Sequence, residues 1–346
     1  MAIEPISRVS LGKTGIMVCR SGFGALPIQR ISKSEAINVL NIAFDNGMNF
    51  FDTARMYSDS EEKLGAAFEG KRHHVVIATK SLATTKAGVL ADLETSLANL
   101  RTDYIDLMQL HNPAIMPDPY DENGSYAGLV LAQQKGMIRS KGFTNHSLER
   151  AIHAAKSGLY DTIQFPLNPL SSDNDLSLIS ICKEAGCGLI AMKPLSGGLI
   201  TKAAASFAFL RQFTNVIPIW GIQREAELRE ILEFEKQPPL LDHNLQNIID
   251  QDKKELSGKF CRGCGYCMPC PQGIQINWAA RMFLLLRRAP FEPFLTNEWR
   301  DSMERITACT HCDQCKSRCP YGLDTPSLLI DNLDDYKRFY KEHKGE

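Results

Sequence analysis

No long apolar run occurs anywhere in the 346 residues. Stretches such as 203–210 and Met282–Leu286 fall far short of the roughly 20 residues a membrane-spanning helix needs, so no membrane partner is expected. A charge of one sign is also missing. The 39 Lys and Arg against 40 Asp and Glu leave a net charge of −1, which gives nucleic acid or an anionic surface nothing to bind. No N-terminal stretch joins a basic end to an apolar core, so no secretory leader is expected. The G-x-G-x-x-G turn of dinucleotide-binding sheets is absent too. Only Gly22-Phe23-Gly24 approaches it, which is too little for that motif.

Cysteine is what the chain has in quantity. Eight of its 11 cysteines form two quartets, CRGCGYCMPCP and CTHCDQCKSRCP. The first holds Cys261, Cys264, Cys267 and Cys270 ahead of Pro271, and the second Cys309, Cys312, Cys315 and Cys319 ahead of Pro320. Three thiolates at every third position wrap one cubane, and the cysteine before the proline reaches a second. The spacing thus predicts two [4Fe–4S] clusters, one on Cys261, Cys264, Cys267 and Cys319, the other on Cys309, Cys312, Cys315 and Cys270. Zinc asks only for C-x2-C pairs, and a disulfide framework belongs to small secreted chains. The gap before Cys270 is one residue shorter than that before Cys319, which alters how far Cys270 reaches. The remaining Cys19, Cys182 and Cys187 lie in strand or helix patterns and read as buried thiols.

The apolar fraction of 44% suffices for a full core, and the length suits one large domain and a smaller one. Extended runs recur near 19–26, 48–54, 74–80, 104–111, 140–146, 162–168, 188–194 and 216–221, each followed by a stretch of helical period. Ser32, Ser58 and Ser147 stand where N-caps belong, and Gly47, Gly136, Gly158 and Gly186 where helices stop. Eight such repeats predict an α/β fold, the (β/α)8 TIM barrel, rather than an open sheet. The segment 9–18 reads as a β-hairpin ahead of it.

Barrel chemistry sits at the C-terminal ends of the strands. Those ends carry Asp52, Lys80, His111, Asn145, Gln164 and Lys193, with Tyr57 in the loop after the second run. Singly, Asp52 reads as a cap, Lys80 as a solvated charge and His111 as a core histidine. Together at successive ends they make a proton-transfer site.

The segments FDTARMYSDSEEKLG, ATK, QLH, GFTNH, IQFPLNPL and PLSGG resemble the aldo-keto reductase family over nearly all of the first 237 residues. The added quartets resemble its ferredoxin-bearing branch. The resemblance implies a catalytic tetrad of Asp52, Tyr57, Lys80 and His111. It implies a nicotinamide cofactor, NADPH with NADH as the alternative, extended across the barrel mouth. Asn145 and Gln164 would meet the carboxamide, and Arg224, after Gly221, the adenosine phosphate. Met192, beside Lys193, stands where the family usually packs an aromatic against the nicotinamide ring, and Ile231 where an asparagine meets the adenine. The implied reaction is reduction of an aldehyde or ketone, or oxidation of the alcohol. A tyrosine is a weak acid, titrating near 10 in isolation. The Lys80 ammonium favours its phenolate, Asp52 holds the lysine, and His111 donates a hydrogen bond to the substrate oxygen.

Pro238 and Pro239 end the eighth repeat. A polar helix at 243–258 leads to the first quartet, and helical patterns at 276–288 and 297–306 fill the stretch between quartets. The expected division is a barrel at 1–240, a small α-helical ferredoxin-like domain at 241–325, and a C-terminal helix and tail at 326–346 that docks on one of them. Free thiols and clusters place the chain in a reducing cytoplasm, in an oxygen-poor cell. The alternative to an enzyme is an electron-transfer or cofactor-sensing module whose clusters serve a redox partner protein.

Overall fold

Parallel pairing organises the first two-thirds of the chain. The computed structural model describes residues 6–256, 260–288 and 291–344. Strands β1 (Arg8–Ser10) and β2 (Met17–Cys19) form an antiparallel hairpin. Eight parallel strands follow: β3 (Gly22–Gly24), β4 (Phe50–Asp52), β5 (Val76–Ser81), β6 (Ile105–His111), β7 (Ile138–Thr144), β8 (Thr162–Pro166), β9 (Gly188–Met192) and β10 (Val216–Gly221). They close in sequence order, β10 returning to β3. Helices α1 (Lys33–Asp45), α2 (Ser60–Ala67), α3 (Lys86–Leu100), α4 (Ser125–Gln134), α5 (Leu148–Lys156), α6 (Asp173–Ala185), α7 (Ala203–Arg211) and α8 (Glu225–Lys236) each follow one strand. The fold is the (β/α)8 barrel that the repeats predict.

Local chemistry explains the segments. β5 and β6 are buried along their whole length, as strands must be when helices cover one face and the barrel interior the other. Helix α1 opens on Ser32 in a capping box with Glu35, and α5 on Ser147. Helix α2 departs from the expected pattern. Its N-cap is Asp59 without a side-chain bond, because Ser58 sits at φ 35° in a tight turn. The hairpin closes against the N-terminal end of β9. There Leu11 is fully buried, the Lys13 amide donates to Gly186 O at 2.9 Å, and a Cβ on Gly12 (φ 58°) would lie 2.2 Å from Gly188 N. Only glycine permits that approach.

Two compact units result. One comprises the chain to Pro194 plus Ala204–Gln246, the other Leu195–Ala203 plus the chain from Asn247. A segment between β9 and α7 belongs to the second unit.

Helices make up the second unit: α9 (His243–Glu255) from Asn247 onward, α10 (Ile276–Ala279), α11 (Met282–Arg288), α12 (Asn297–Glu304), α13 (Gln314–Ser317) and α14 (Thr325–Lys344). The last residues of the helix expected to 258 lie outside the described residues. Leu329, Leu333, Tyr336 and Tyr340 of α14 share one core with Ile274, Ile276, Leu285 and Met303. Tyr336 donates its hydroxyl to Phe294 O at 2.8 Å, and Asn332 Oδ1 accepts from the Phe283 amide at 2.9 Å. Helix α14 thus supplies part of the second unit's core. No helix among the described residues is long and apolar enough to cross a membrane.

Candidate active site and candidate metal centres

Three strand ends bring titratable side chains into the barrel interior. Asp52 closes β4, Lys80 is the penultimate residue of β5, and His111 closes β6. Lys80 and Asp52 are both almost fully buried and pair at 2.6 Å (Nζ–Oδ1). The ammonium also donates to Thr53 O at 2.6 Å. Asp52 takes further hydrogen bonds from Gln109 Nε2 at 3.3 Å and, weakly, from Gln164 Nε2 at 3.5 Å. Register makes this possible. Lys80 lies opposite Gln109 in the β5–β6 pairing, and residues two apart on a strand share a face. Gln109 and His111 therefore point the same way. Sequence reasoning passed over Gln109, although the two-residue step from His111 in QLH carried that signal.

Tyr57 reaches this group from the β4–α2 loop. Its amide donates to Ala54 O at 2.9 Å and its carbonyl accepts from Ser60 at 2.8 Å, so the loop turns back over the strand ends. Its ring centre lies 6.0 Å from that of His111, edge to face, and 5.4 Å from Lys80 Nζ. The four candidate catalytic residues therefore converge. Burial pushes the Asp52 carboxyl up and the Lys80 ammonium down from their ordinary values, and their mutual attraction opposes both shifts. Burial, then the Lys80 charge, lowers His111 to about 3, so its imidazole is neutral at pH 7 and has one N–H to donate.

The other candidates divide. Gln164 keeps its Oε1 buried and without a hydrogen bond, an acceptor awaiting a donor. Asn145 uses its amide locally, donating from Nδ2 to Pro113 O at 3.0 Å and accepting the Ser147 amide on Oδ1 at 2.8 Å. Met192 ends β9, half-buried, and Lys193 follows at φ 57°, its carbonyl held by Asn168 Nδ2 at 3.0 Å. Gly221 ends β10, and Arg224 is the exposed N-cap of α8. The Arg224 guanidinium is already engaged by Glu227 Oε1, at 2.9 Å from Nε and 2.7 Å from Nη2, so a phosphate there would compete with a carboxylate. Ile231 is buried on the packed side of α8.

In the second unit the cysteines border two cavities. Cys261, Cys264, Cys267 and Cys319 line one, with Pro320 and Tyr321. Cys270, Cys309, Cys312 and Cys315 line the other, and Cys267 touches both. Left-handed residues turn the loops that border these cavities: Gly263 and Gly265 in the first quartet, His311 and Asp313 in the second. Burial, then the neighbouring Cys261 and Cys264, raises Cys267 to about 12, and burial raises Cys315. Such thiols give up protons to a metal rather than to water. Four thiols spread around a cavity suit a cubane that offers one iron to each sulfur. A lone zinc would instead draw its sulfurs to about 2.3 Å of one point.

Residues 21–216 match the family model described as the aldo/keto reductase family, and residues 260–324 match the 4Fe-4S dicluster domain. "Aldo-keto reductase YhdN" of Bacillus subtilis (strain 168) is 30% identical over 56% of this chain and 63% of its own length. "L-galactose dehydrogenase" of Arabidopsis thaliana is 29% identical over 56% of this chain and 66% of its own. The chain thus spans less than two-thirds of each of these relatives. A solved putative aldo-keto reductase from Pseudomonas aeruginosa superposes with a TM-score of 0.59 at 27% identity, covering 68% of this chain and 97% of that one.

Proposed function

The chain belongs to the aldo/keto reductase family, and from that premise we propose that it interconverts a small carbonyl compound and its alcohol, with two [4Fe–4S] clusters held in its second unit. The buried Asp52–Lys80 pair under the Tyr57 ring, with neutral His111 at its edge, carries the reading. NADPH, or NADH in its place, would supply hydride to the carbonyl carbon when bound. Tyr57 gives a proton to the oxygen as negative charge grows there. Lys80 stabilises the resulting phenolate, at an ammonium-to-ring distance of 5.4 Å. Asp52 keeps Lys80 in place and compensates its charge in a water-poor interior. His111 donates its N–H to the substrate oxygen, and because it is neutral it adds no charge of its own.

Gln164 Oε1, buried and unpaired, would accept from a carboxamide amino group, with Asn145 alongside. Met192, Lys193 and Gly221 would border the cofactor. Arg224 would meet an adenosine phosphate only by sharing itself with Glu227. Cys261, Cys264, Cys267 and Cys319 would hold one cluster, and Cys270, Cys309, Cys312 and Cys315 the other. The clusters, when present, supply one-electron exchange. The exposure of Cys312 favours a second reading in which that cluster serves a redox partner protein. The thiol content suits the reducing cytoplasm.

Anaerobic, cluster-loaded protein mixed with NADPH or NADH and a panel of aldehydes and ketones should oxidise the cofactor. Cofactor binding without turnover on any of them would favour the sensing or electron-transfer reading instead.

A further inference from the structure

The segment Leu195–Ala203 leaves the proposed cofactor residues Met192 and Lys193 through Pro194 and returns to α7, yet it belongs to the second unit. Its backbone is unusual. Ser196, Gly197 and Gly198 take φ of 50°, 68° and 91° in succession. Positive φ costs Gly197 and Gly198 nothing, whereas Ser196 keeps it only where neighbours hold the segment.

Two arginines of the second unit do so. Arg281 Nη1 donates to Gly197 O at 3.1 Å, and Arg288 Nε donates to Leu199 O at 2.8 Å. Arg288 is itself fixed by Asp252 and by Glu255 at 2.5 Å. Arg281 is only 7% exposed and stacks over Trp278. It also packs directly on the first thiol loop. A Cβ on Gly263, between Cys261 and Cys264, would lie 2.8 Å from its guanidinium carbon. Gly197 is pressed from two sides as well, since a Cβ there would meet Arg281 Nη1 at 3.1 Å and Arg262 O at 3.5 Å. A guanidinium thus lies between the loop carrying three cysteines and the segment that follows β9.

We propose that Arg281 is a positioning residue that ties the conformation of Leu195–Ala203, and through it the placement of Met192 and Lys193, to the loaded first thiol site. The inference rests on reading the quartets as iron–sulfur sites and β9's end as cofactor-binding. Four thiolates around a cluster bring negative charge to the loop on which Arg281 packs, and a buried cation is held best where such charge is near. The held guanidinium in turn occupies Gly197 O and keeps the left-handed run in place. Cofactor affinity then depends on a residue that touches neither cofactor nor substrate, which is coupling between two sites through a shared segment.

The test uses loaded, full-length protein and the variants Arg281→Gln, Arg281→Lys and Gly197→Ala. Three readouts are taken: iron per chain, hydrogen exchange of the 195–203 peptide by mass spectrometry, and NADPH affinity by fluorescence titration. Arg281→Gln should keep its iron, exchange faster across 195–203, and bind NADPH about fivefold more weakly or worse, with kcat at saturating NADPH unchanged. Arg281→Lys should recover part of the affinity. Gly197→Ala leaves the guanidinium in place but disturbs the same contact, so it should reproduce the loss and decides the matter if Arg281→Gln sheds iron. Wild-type exchange in an iron-replete Arg281→Gln would overturn the proposal. So would faster exchange with unchanged NADPH affinity, which would make Arg281 a packing residue only. Absence of NADPH binding by the wild-type protein would count against the barrel reading, and the exchange data would still decide the clamp.

Discussion

Replacing Lys80 by Met tests the central ion pair most directly. The ammonium is almost fully buried and lies 2.6 Å from Asp52. Its removal leaves a buried carboxylate with only Gln109 and a long contact to Gln164. Breaking one partner of such a pair costs about 3–5 kcal/mol, because the survivor is an uncompensated charge. Lys80→Met and Asp52→Asn should each cost about that much. The double variant, which leaves no charge stranded, should lose much less than the sum, a coupling of about 2 kcal/mol or more. The loss in Lys80→Met should also depend on pH. Without the ammonium, burial holds the Asp52 carboxyl above its unfolded value, so the folded form keeps its proton longer. The penalty is then small at low pH and grows as pH rises through the shifted value. The assay is urea unfolding at pH 5 and pH 8, followed by pulsed hydrogen exchange on the β4–β6 peptides. That separates the barrel's transition from the second unit's. Strict additivity of the two single losses, or a pH-independent loss in Lys80→Met, would refute the account.

Tyr57→Phe keeps the ring against His111 and Lys80 but removes the proton donor, so NADPH affinity should hold while kcat falls about 10²–10⁴-fold; stopped-flow turnover checks it, and wild-type rates would remove Tyr57 from the reaction. His111, lowered to about 3 by burial against its ordinary 6.5, should contribute no ionisation to the kcat profile between pH 5 and 8. In the unfolded chain the same imidazole takes its proton near 6.5, so its stability contribution is complete above that pH and is lost as pH falls towards 3. His111→Asn should flatten that part of the acid-stability curve. Iron and sulfide analysis of anaerobic protein should give about eight of each per chain. Cys319→Ala should reduce both towards four while the set containing Cys270 keeps its cluster, and stoichiometric zinc in place of iron would refute the assignment.

The barrel was legible because each strand and helix announces itself locally, through apolar runs bounded by caps and glycines. The convergence of Asp52, Lys80 and His111 was legible for a related reason: a barrel gathers the C-terminal ends of its strands at one mouth. What escaped the sequence depends on distant partners. Nothing in LSGGLITKA says that Leu195–Ala203 packs with a unit beginning some fifty residues later, because its anchors, Arg281 and Arg288, have no local pattern that marks them. Asn145 reads as an available amide, and only the fold reveals Pro113 O and the Ser147 amide at its two ends. Glu227 stands three residues after Arg224, a visible capping interval, but which of several nearby acids closes on the guanidinium is settled by packing.

Because Cys319 borders the same cavity as Cys261, Cys264 and Cys267, while Cys270 joins the later three, neither wall closes until synthesis has passed both quartets. A ribosome adding about 5–20 residues per second needs on the order of 3–10 s to go from the third cysteine of the first quartet to Cys319. For those seconds the early thiols stand in an unfinished pocket, open to one another and to any oxidant nearby. The two sites then become complete almost together, since Cys315 and Cys319 are one helical turn apart in the sequence. A nascent chain built this way has no half-finished stage with one site sealed and the other still to be made, and its iron must be delivered after translation of the segment rather than during it.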